Sequence, residues 1–320
     1  MKRLNAATLT SELAQLDLAS CLMSKRGQLI FEFDKTGHKA AEIARINSCT
    51  KSVLSALLCI AMDQGHLPDL STPMSAFFPV ARGSDLHSIT LLHLLTMTSG
   101  MNWTEFGGQN SFPRMTKSPH WVNFVLEQPL SDPPGARMVY NSGGSQLLAA
   151  ILASAAGMSV ASFAERYLFG PMGIEEYTWE RDPQGIHTGG FGLSLRPIDM
   201  LKFGQLYEQK GRWANQQLIT QELVTRSTQP AIIAEAPRRG YYGWHWWADA
   251  YPDPGEGNEA TQSFTYFNAY GFGGQAIYVI PSLEIVVVLT CEPRKKNQIP
   301  LQVFRRFIAP KLAEGTMSFE

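Results

Sequence analysis

The chain changes hydrophobic period several times, and each change predicts an element. Residues 4–17 hold Leu13 and Leu16 at helical spacing and predict a short helix. From Ala19 to Phe33 the period drops to two, with Leu29, Phe31 and Phe33 alternating with polar residues about a Lys25-Arg26-Gly27 turn. That pattern predicts a β-hairpin. A polar stretch from Asp34 to Ala44 follows. Ser48 to Gln64 is then apolar almost all round, which predicts a helix in the middle of the fold, with Asn47 as N-cap and Gly65 as its stop. The stretch 66–240 reads as mostly helical with long loops. Its helical runs are Ile89 to Met97, Gln146 to Ala156, and Leu195 to Gln209 started by Pro197, with a turn at Pro133-Pro134-Gly135. Strand patterns return at Tyr241 to Asp249, Phe264 to Ala269, Gln275 to Ile280 and Glu284 to Thr290, and a helix over Gln302 to Leu312 follows. Strands, helices, strands and a helix predict an α+β fold: one antiparallel sheet built from both chain ends, with an inserted helical lobe. We expect one domain over 1–320, with an α/β lobe of about 1–65 and 190–320 and a mostly helical lobe of about 66–189.

Composition narrows the class. A 320-residue chain with 44% hydrophobic and 17% charged residues has enough apolar material for a full core. Its 27 basic and 28 acidic residues leave a formal charge of −1, which argues against a nucleic-acid-binding face. The best apolar stretch, Ile277 to Thr290, is interrupted by Pro281 and Glu284, so no membrane span is expected. Glu12 and Asp17 break up the N-terminal segment, and no export signal is read there. Cys21, Cys49, Cys59 and Cys291 are scattered and the seven histidines lack ligand spacing. The expectation is reduced thiols in a cytoplasmic protein, with no metal and no cofactor. Oligomeric state is left open.

Candidate chemistry begins with Ser48-Cys49-Thr50-Lys51, the one Ser-x-x-Lys in the chain, at the head of the central helix. Positions i and i+3 share a helix face, so the Lys51 amine can reach the Ser48 hydroxyl. A serine needs a base, and lysine serves as one when burial or a helix end lowers its pKa. The helix start also aims free N–H groups at a developing oxyanion. The bland alternative is a capping serine and a solvent-facing lysine. Two further segments bear on the choice. Tyr140-Asn141-Ser142 places a phenol in a turn where it can reach across a cleft and shuttle a proton. Tyr270-Gly271-Phe272-Gly273-Gly274-Gln275 leads into a strand whose edge can lie against a ligand.

In this order, the segments resemble those of the serine β-lactamase/penicillin-binding-protein-like hydrolases, nearest the class C-like esterases and the 6-aminohexanoate-dimer hydrolase-type amidases. Thr90 to Met101, Gly189 to Leu193 and Arg196 to Met200 resemble the family's supporting stretches, and the likeness runs from about residue 20 to about 310. The resemblance implies a β-lactamase/transpeptidase-like fold, its sheet flanked by terminal helices. It implies Ser48 as acylated nucleophile and Lys51 and Tyr140 as general base and later acid. Ser142 stands at the third place of the tyrosine motif, where many relatives have Asn. The backbone N–H groups of Ser48 and Phe272 would form the oxyanion hole. Where relatives that bind β-lactams carry Lys-Thr-Gly, this chain has Ala269-Tyr270-Gly271, which counts against β-lactamase or transpeptidase activity.

Trp103, Phe106 and Asn110, in a loop, are candidates for the acyl pocket beside Gly271. Tyr242, Trp244 and Trp246 alternate as on one face of a strand and read as core. Cys49 points about 100° away from Ser48 on a helix and reads as core-facing. His93 and His120 read as structural. The expected activity is hydrolysis of a small uncharged or weakly charged ester or amide. An acyltransferase, a β-lactamase or D-amino-acid peptidase-like enzyme, and a non-catalytic binding module are the alternatives.

Overall fold

The structure is a computed structural model and describes residues 6–37, 41–81, 83–253, 262–291 and 299–315. Its centre is an eight-stranded antiparallel sheet. In spatial order the strands are Gln28–Asp34, Ser20–Lys25, Ile285–Thr290, Gln275–Ile280, Phe264–Gly271, Trp247–Tyr251, Tyr241–Tyr242 and Ile232–Ile233. The two chain ends meet in register, Ser20 opposite Thr290 and Lys25 opposite Ile285. Residues 66–189 contribute no strand to this sheet.

Each face of the sheet carries its own core. Leu22, Ile277, Val279, Val286 and Val288 pack toward the helices Thr50–Asp63, Ser142–Ala156 and Pro197–Glu208. Cys21, Met23, Tyr278, Val287 and Leu289 point the other way, against Leu9 and Leu13 of the N-terminal helix Ala6–Ala14 and Phe304, Ile308 and Leu312 near the C-terminus. Both faces of the central strands are dry, which is why Ile277–Ile280 and Ile285–Leu289 are continuous apolar runs without alternation. With the sheet between terminal helices and a helical insertion, this is the α+β, β-lactamase/transpeptidase-like fold.

Several expected elements are redrawn. The first two residues of the expected N-terminal helix lie outside the described residues. The 241–249 strand is broken: Tyr241–Tyr242 and Trp247–Tyr251 are separate strands, and between them His245 takes a φ of 60°. Tyr242 consequently joins the C-terminal-helix side of the sheet while Trp244 and Trp246 join the central-helix side, so the three do not share a face. Trp246 is fully buried and stacks on Phe203 at 5.8 Å and 13°, so it is a core residue as expected. Leu195 ends a short strand, Leu193–Leu195, held between Ala44–Arg45 and Thr178–Trp179, and the helix begins only at Pro197. The C-terminal helix carries a π turn over Phe304–Ile308. Pro310 follows it, and a proline has no N–H to give to the ladder.

Asn47 is not an N-cap. It has a φ of 48° and enters a 3-10 turn, Asn47–Cys49, that runs into the helix Thr50–Asp63 without a side-chain cap. Its amide Nδ2 instead donates to the Phe272 carbonyl at 2.5 Å. The helix expected from Gln146 begins at Ser142, where Asn141 caps it by accepting from the Gly144 N–H at 2.9 Å.

Candidate active site

Ser48 and Tyr140 are half-buried and Lys51 is wholly buried behind them. Lys51 Nζ lies 3.5 Å from Ser48 Oγ, donates to Ser142 Oγ at 2.8 Å and to the Gly190 carbonyl at 2.9 Å. A protonated amine has three N–H donors, so these three acceptors satisfy its hydrogen bonds. The same nitrogen sits 4.7 Å from the centroid of the Tyr140 ring. Four sequence-predicted residues, Ser48, Lys51, Tyr140 and Ser142, thus come from two separate segments into one cluster.

Local structure fixes each of them. The i, i+3 spacing places Ser48 and Lys51 on one side of the first helical turns. Tyr140 is wedged by Trp247, whose ring lies 5.9 Å away at 16°, and by Tyr242 edge-on at 6.4 Å. Its N–H donates to Glu235 Oε2 at 3.3 Å. The Gly190 carbonyl is aimed by a relay of side chains. Asp182 accepts from Gln146 Nε2 at 3.0 Å, and Gln146 Oε1 accepts from the neighbouring Gly189 N–H at 3.0 Å. A Cβ on Gly190 would fall 3.0 Å from Lys51 Nζ and 3.2 Å from Ser142 Oγ, so a side chain there would crowd the amine.

The closing strand Phe264–Gly271 presses its end against the turn that carries Ser48. A Cβ at Gly271 would collide with the Ile46 carbonyl and lie 3.2 Å from Asn47 Cβ. Together with the Asn47–Phe272 bond, this brings the backbone of Phe272 beside that of Ser48. Among the described residues no backbone acceptor takes the N–H of either Ser48 or Phe272. Phe272 is exposed, and its ring meets that of the exposed Phe106 at 6.1 Å, forming an apolar rim.

The remaining loop candidates differ. Trp103 is 4% exposed, with its indole N–H on Glu105 Oε2 at 3.0 Å, so it supports the site from behind and offers little surface to a substrate. Asn110 uses its carbonyl to accept from the Thr104 N–H at 2.9 Å, closing the loop. No contact of its side chain with the Ser48 cluster is found among the described residues. His93 and His120 cap helices, through Nδ1 to the N–H of Thr90 and of Asn123 respectively. Cys49 is fully buried with its thiol pushed up by burial, Sγ toward the Gln275 carbonyl at 3.5 Å, so it is no competitor for Ser48.

Three participants were not read from the sequence. Glu105 lies between the named Trp103 and Phe106, and its carboxylate accepts from both the hydroxyl and the N–H of Ser142, the latter at 3.0 Å. His245 binds the Leu95 carbonyl through Nδ1 at 2.8 Å and Ser145 Oγ through Nε2 at 3.0 Å, and its own carbonyl takes Ser52 Oγ at 2.7 Å. It therefore ties the Lys51 helix to the Ser142 helix from below. Burial, and after it the Lys51 charge, holds its pKa down to about 3. Arg238 is exposed, and its guanidinium lies 4.3 Å from the Tyr270 ring centroid and 4.6 Å from that of Trp247. Ala269 itself faces the central-helix side of the sheet, while the Arg238 cation lies over Tyr270 on the other side. Only Gly143 and Gly144 kept the start of the Ser142 helix hidden, since glycine lowers helix propensity. Gly143 is required because a Cβ there would meet Val125 at 2.7 Å and Trp103 at 2.9 Å.

Comparison with known proteins bears on the fold and the family. The D-alanyl-D-alanine-carboxypeptidase/endopeptidase AmpH of Escherichia coli (strain K12) is 26% identical over 201 residues, 58% of this chain and 51% of the relative. The chain thus spans about half the length of the curated relatives it matches. Among solved structures, a Bacillus anthracis protein provisionally described as a 6-aminohexanoate-dimer hydrolase superposes with a TM-score of 0.75 at 20% identity, over 92% of this chain and 79% of that one. EstCE1, described as a hydrolase with promiscuous acyltransferase activity, superposes with a TM-score of 0.73 at 14% identity, over 95% and 98%. At these identities the superpositions establish the fold. The Beta-lactamase family model matches residues 19–300, and the chain belongs to that family.

Proposed function

We propose that the protein is a serine hydrolase that cleaves a carboxylic ester or amide through an acyl-enzyme on Ser48. The observation that carries this reading is the buried Lys51 amine, within 3.5 Å of Ser48 Oγ and 4.7 Å from the Tyr140 ring centroid. In this mechanism the Lys51–Tyr140 pair takes the Ser48 proton as Oγ attacks the carbonyl carbon. The N–H groups of Ser48 and Phe272 receive the oxyanion. The leaving alcohol or amine departs with the proton, and water, deprotonated by the same pair, releases the acid. General-base catalysis is worth ~10²–10⁴-fold, and one oxyanion donor ~10²–10³-fold. The apolar rim of Phe106 and Phe272 favours an uncharged acyl chain.

Ser48→Ala must then abolish hydrolysis of short p-nitrophenyl esters, and a fluorophosphonate must add its mass to the wild type and not to the variant. Wild-type rates in the variant would refute the proposal. Passing the acyl group to an added alcohol or amine would mark the acyltransferase alternative, and the described relative with that activity makes the acceptor assay worthwhile.

A second reading, hydrolysis of a substrate bearing a carboxylate such as a D-amino-acid peptide, rests on Arg238. Its guanidinium lies at the end of the closing strand, and no carboxylate pairs with it among the described residues. We further propose a cytoplasmic setting, supported by four buried free thiols. Recovery of the protein in a membrane or exported fraction would overturn that part.

A further inference from the structure

With three acceptors about it, an ammonium at Lys51 would have to give up a proton before it could act as a base, and the cluster holds a path for that proton. Ser142 Oγ accepts from Lys51 Nζ at 2.8 Å while its own O–H donates to Glu105 Oε1. The chain of donors runs in one direction, from amine through hydroxyl to carboxylate. The second oxygen of Glu105 is held by the Ser142 N–H at 3.0 Å and the Trp103 indole at 3.0 Å, so the carboxylate cannot swing away. The Ser142 N–H is also the first of a fifteen-residue helix, where a carboxylate is favoured.

We propose that Glu105 is a positioning residue that takes the Lys51 proton by way of Ser142 and so sets the amine free to act. One N–H proton moves from Lys51 to Ser142 Oγ as the Ser142 proton moves to Glu105 Oε1. An ammonium and a carboxylate become an amine and a carboxylic acid, with no net proton gained or lost. Lys51 then accepts the Ser48 proton. When the leaving group takes a proton from the Lys51–Tyr140 pair, the relay runs back and restores the resting state. The hydroxyl at position 142 can receive and donate at once, which an amide side chain cannot do without tautomerising. The hydroxyl of Ser142 is what makes the relay possible. This deepens the hydrolase reading above and rests on it.

The test is the pH dependence of kcat/KM for a neutral p-nitrophenyl ester in wild type, Glu105→Gln, Ser142→Ala and Ser142→Thr, each checked for fold by near-UV circular dichroism. In the wild type the pair rearranges internally, so the rate is level through neutral pH. In Glu105→Gln the amine must lose its proton to solvent. The rate at pH 7 should fall by about 10²-fold and climb about tenfold per pH unit on the alkaline side, a shape that general-base loss predicts. Ser142→Ala should show the same climb, and Ser142→Thr, which keeps the hydroxyl, should restore the level profile. A Glu105→Gln rate lowered by one constant factor at every pH, or not lowered at all, overturns the relay. If Glu105→Gln does not fold, a level profile in Ser142→Ala overturns it equally. A fluorophosphonate adduct on wild-type Ser48 keeps the two claims apart. Without the adduct the hydrolase reading fails, and with it a level variant profile removes the relay alone.

Discussion

Acid should loosen this protein through His245, a residue that is not part of the proposed chemistry. The Leu95 carbonyl can only accept, so Nδ1 carries the hydrogen and Nε2 accepts from Ser145. This is the neutral tautomer, in a fully buried site. Burial first, and the Lys51 charge second, hold its pKa at about 3 against an ordinary value of 6.5. The unfolded chain therefore binds more protons than the native state between those values, and stability must fall as pH drops through that window. The linkage relation gives a loss of about 2 kcal/mol on going from pH 7.5 to pH 5, approaching about 5 kcal/mol near pH 3. His245→Asn isolates the effect. Asparagine tolerates the φ of 60° and keeps a donor for Leu95, at a cost of about 1–2 kcal/mol for the lost Ser145 partner. Urea denaturation of both proteins at pH 7.5 and 5 should show the wild-type advantage shrinking by about 2 kcal/mol, because every other titrating group cancels in the difference. An advantage that is the same at both pH values would refute the reasoning.

Two further outcomes follow from the packing. Arg238→Met should leave kcat/KM for neutral esters unchanged and lower it at least about tenfold for substrates with a free carboxylate, as loss of a charge-assisted hydrogen bond of about 1.5–3 kcal/mol implies; equal effects on both classes would remove the second functional reading. Trp246→Ala, which empties a site packed against Phe203 and Tyr207, should cost about 3–5 kcal/mol in urea unfolding.

The sequence by itself determined the elements whose pattern is set by burial: the hairpin at Ser20–Asp34, the all-apolar helix, and the paired runs near the C-terminus that lie dry on both faces. It also determined the Ser48–Lys51 pairing, because three residues on a helix fix a shared face without help from the rest of the chain. Where a residue's role depends on a partner far along the chain, the tertiary structure decided it. Asn47 looked like a cap and serves instead to tie the Ser48 turn to Phe272, 225 residues on. The aromatic run at 241–247 alternates in sequence, yet its side chains divide between two cores because His245 turns the backbone left-handed. Glu105 and Arg238 carry no local signature, and Gly190 lies in a stretch whose sequence does not say that its carbonyl meets Lys51. A carboxylate, a glycine carbonyl and a guanidinium become parts of a site only when folding brings them to Ser142, Lys51 and Tyr270. Local periodicity reports how a segment meets water, and a catalytic constellation is a set of distances between segments.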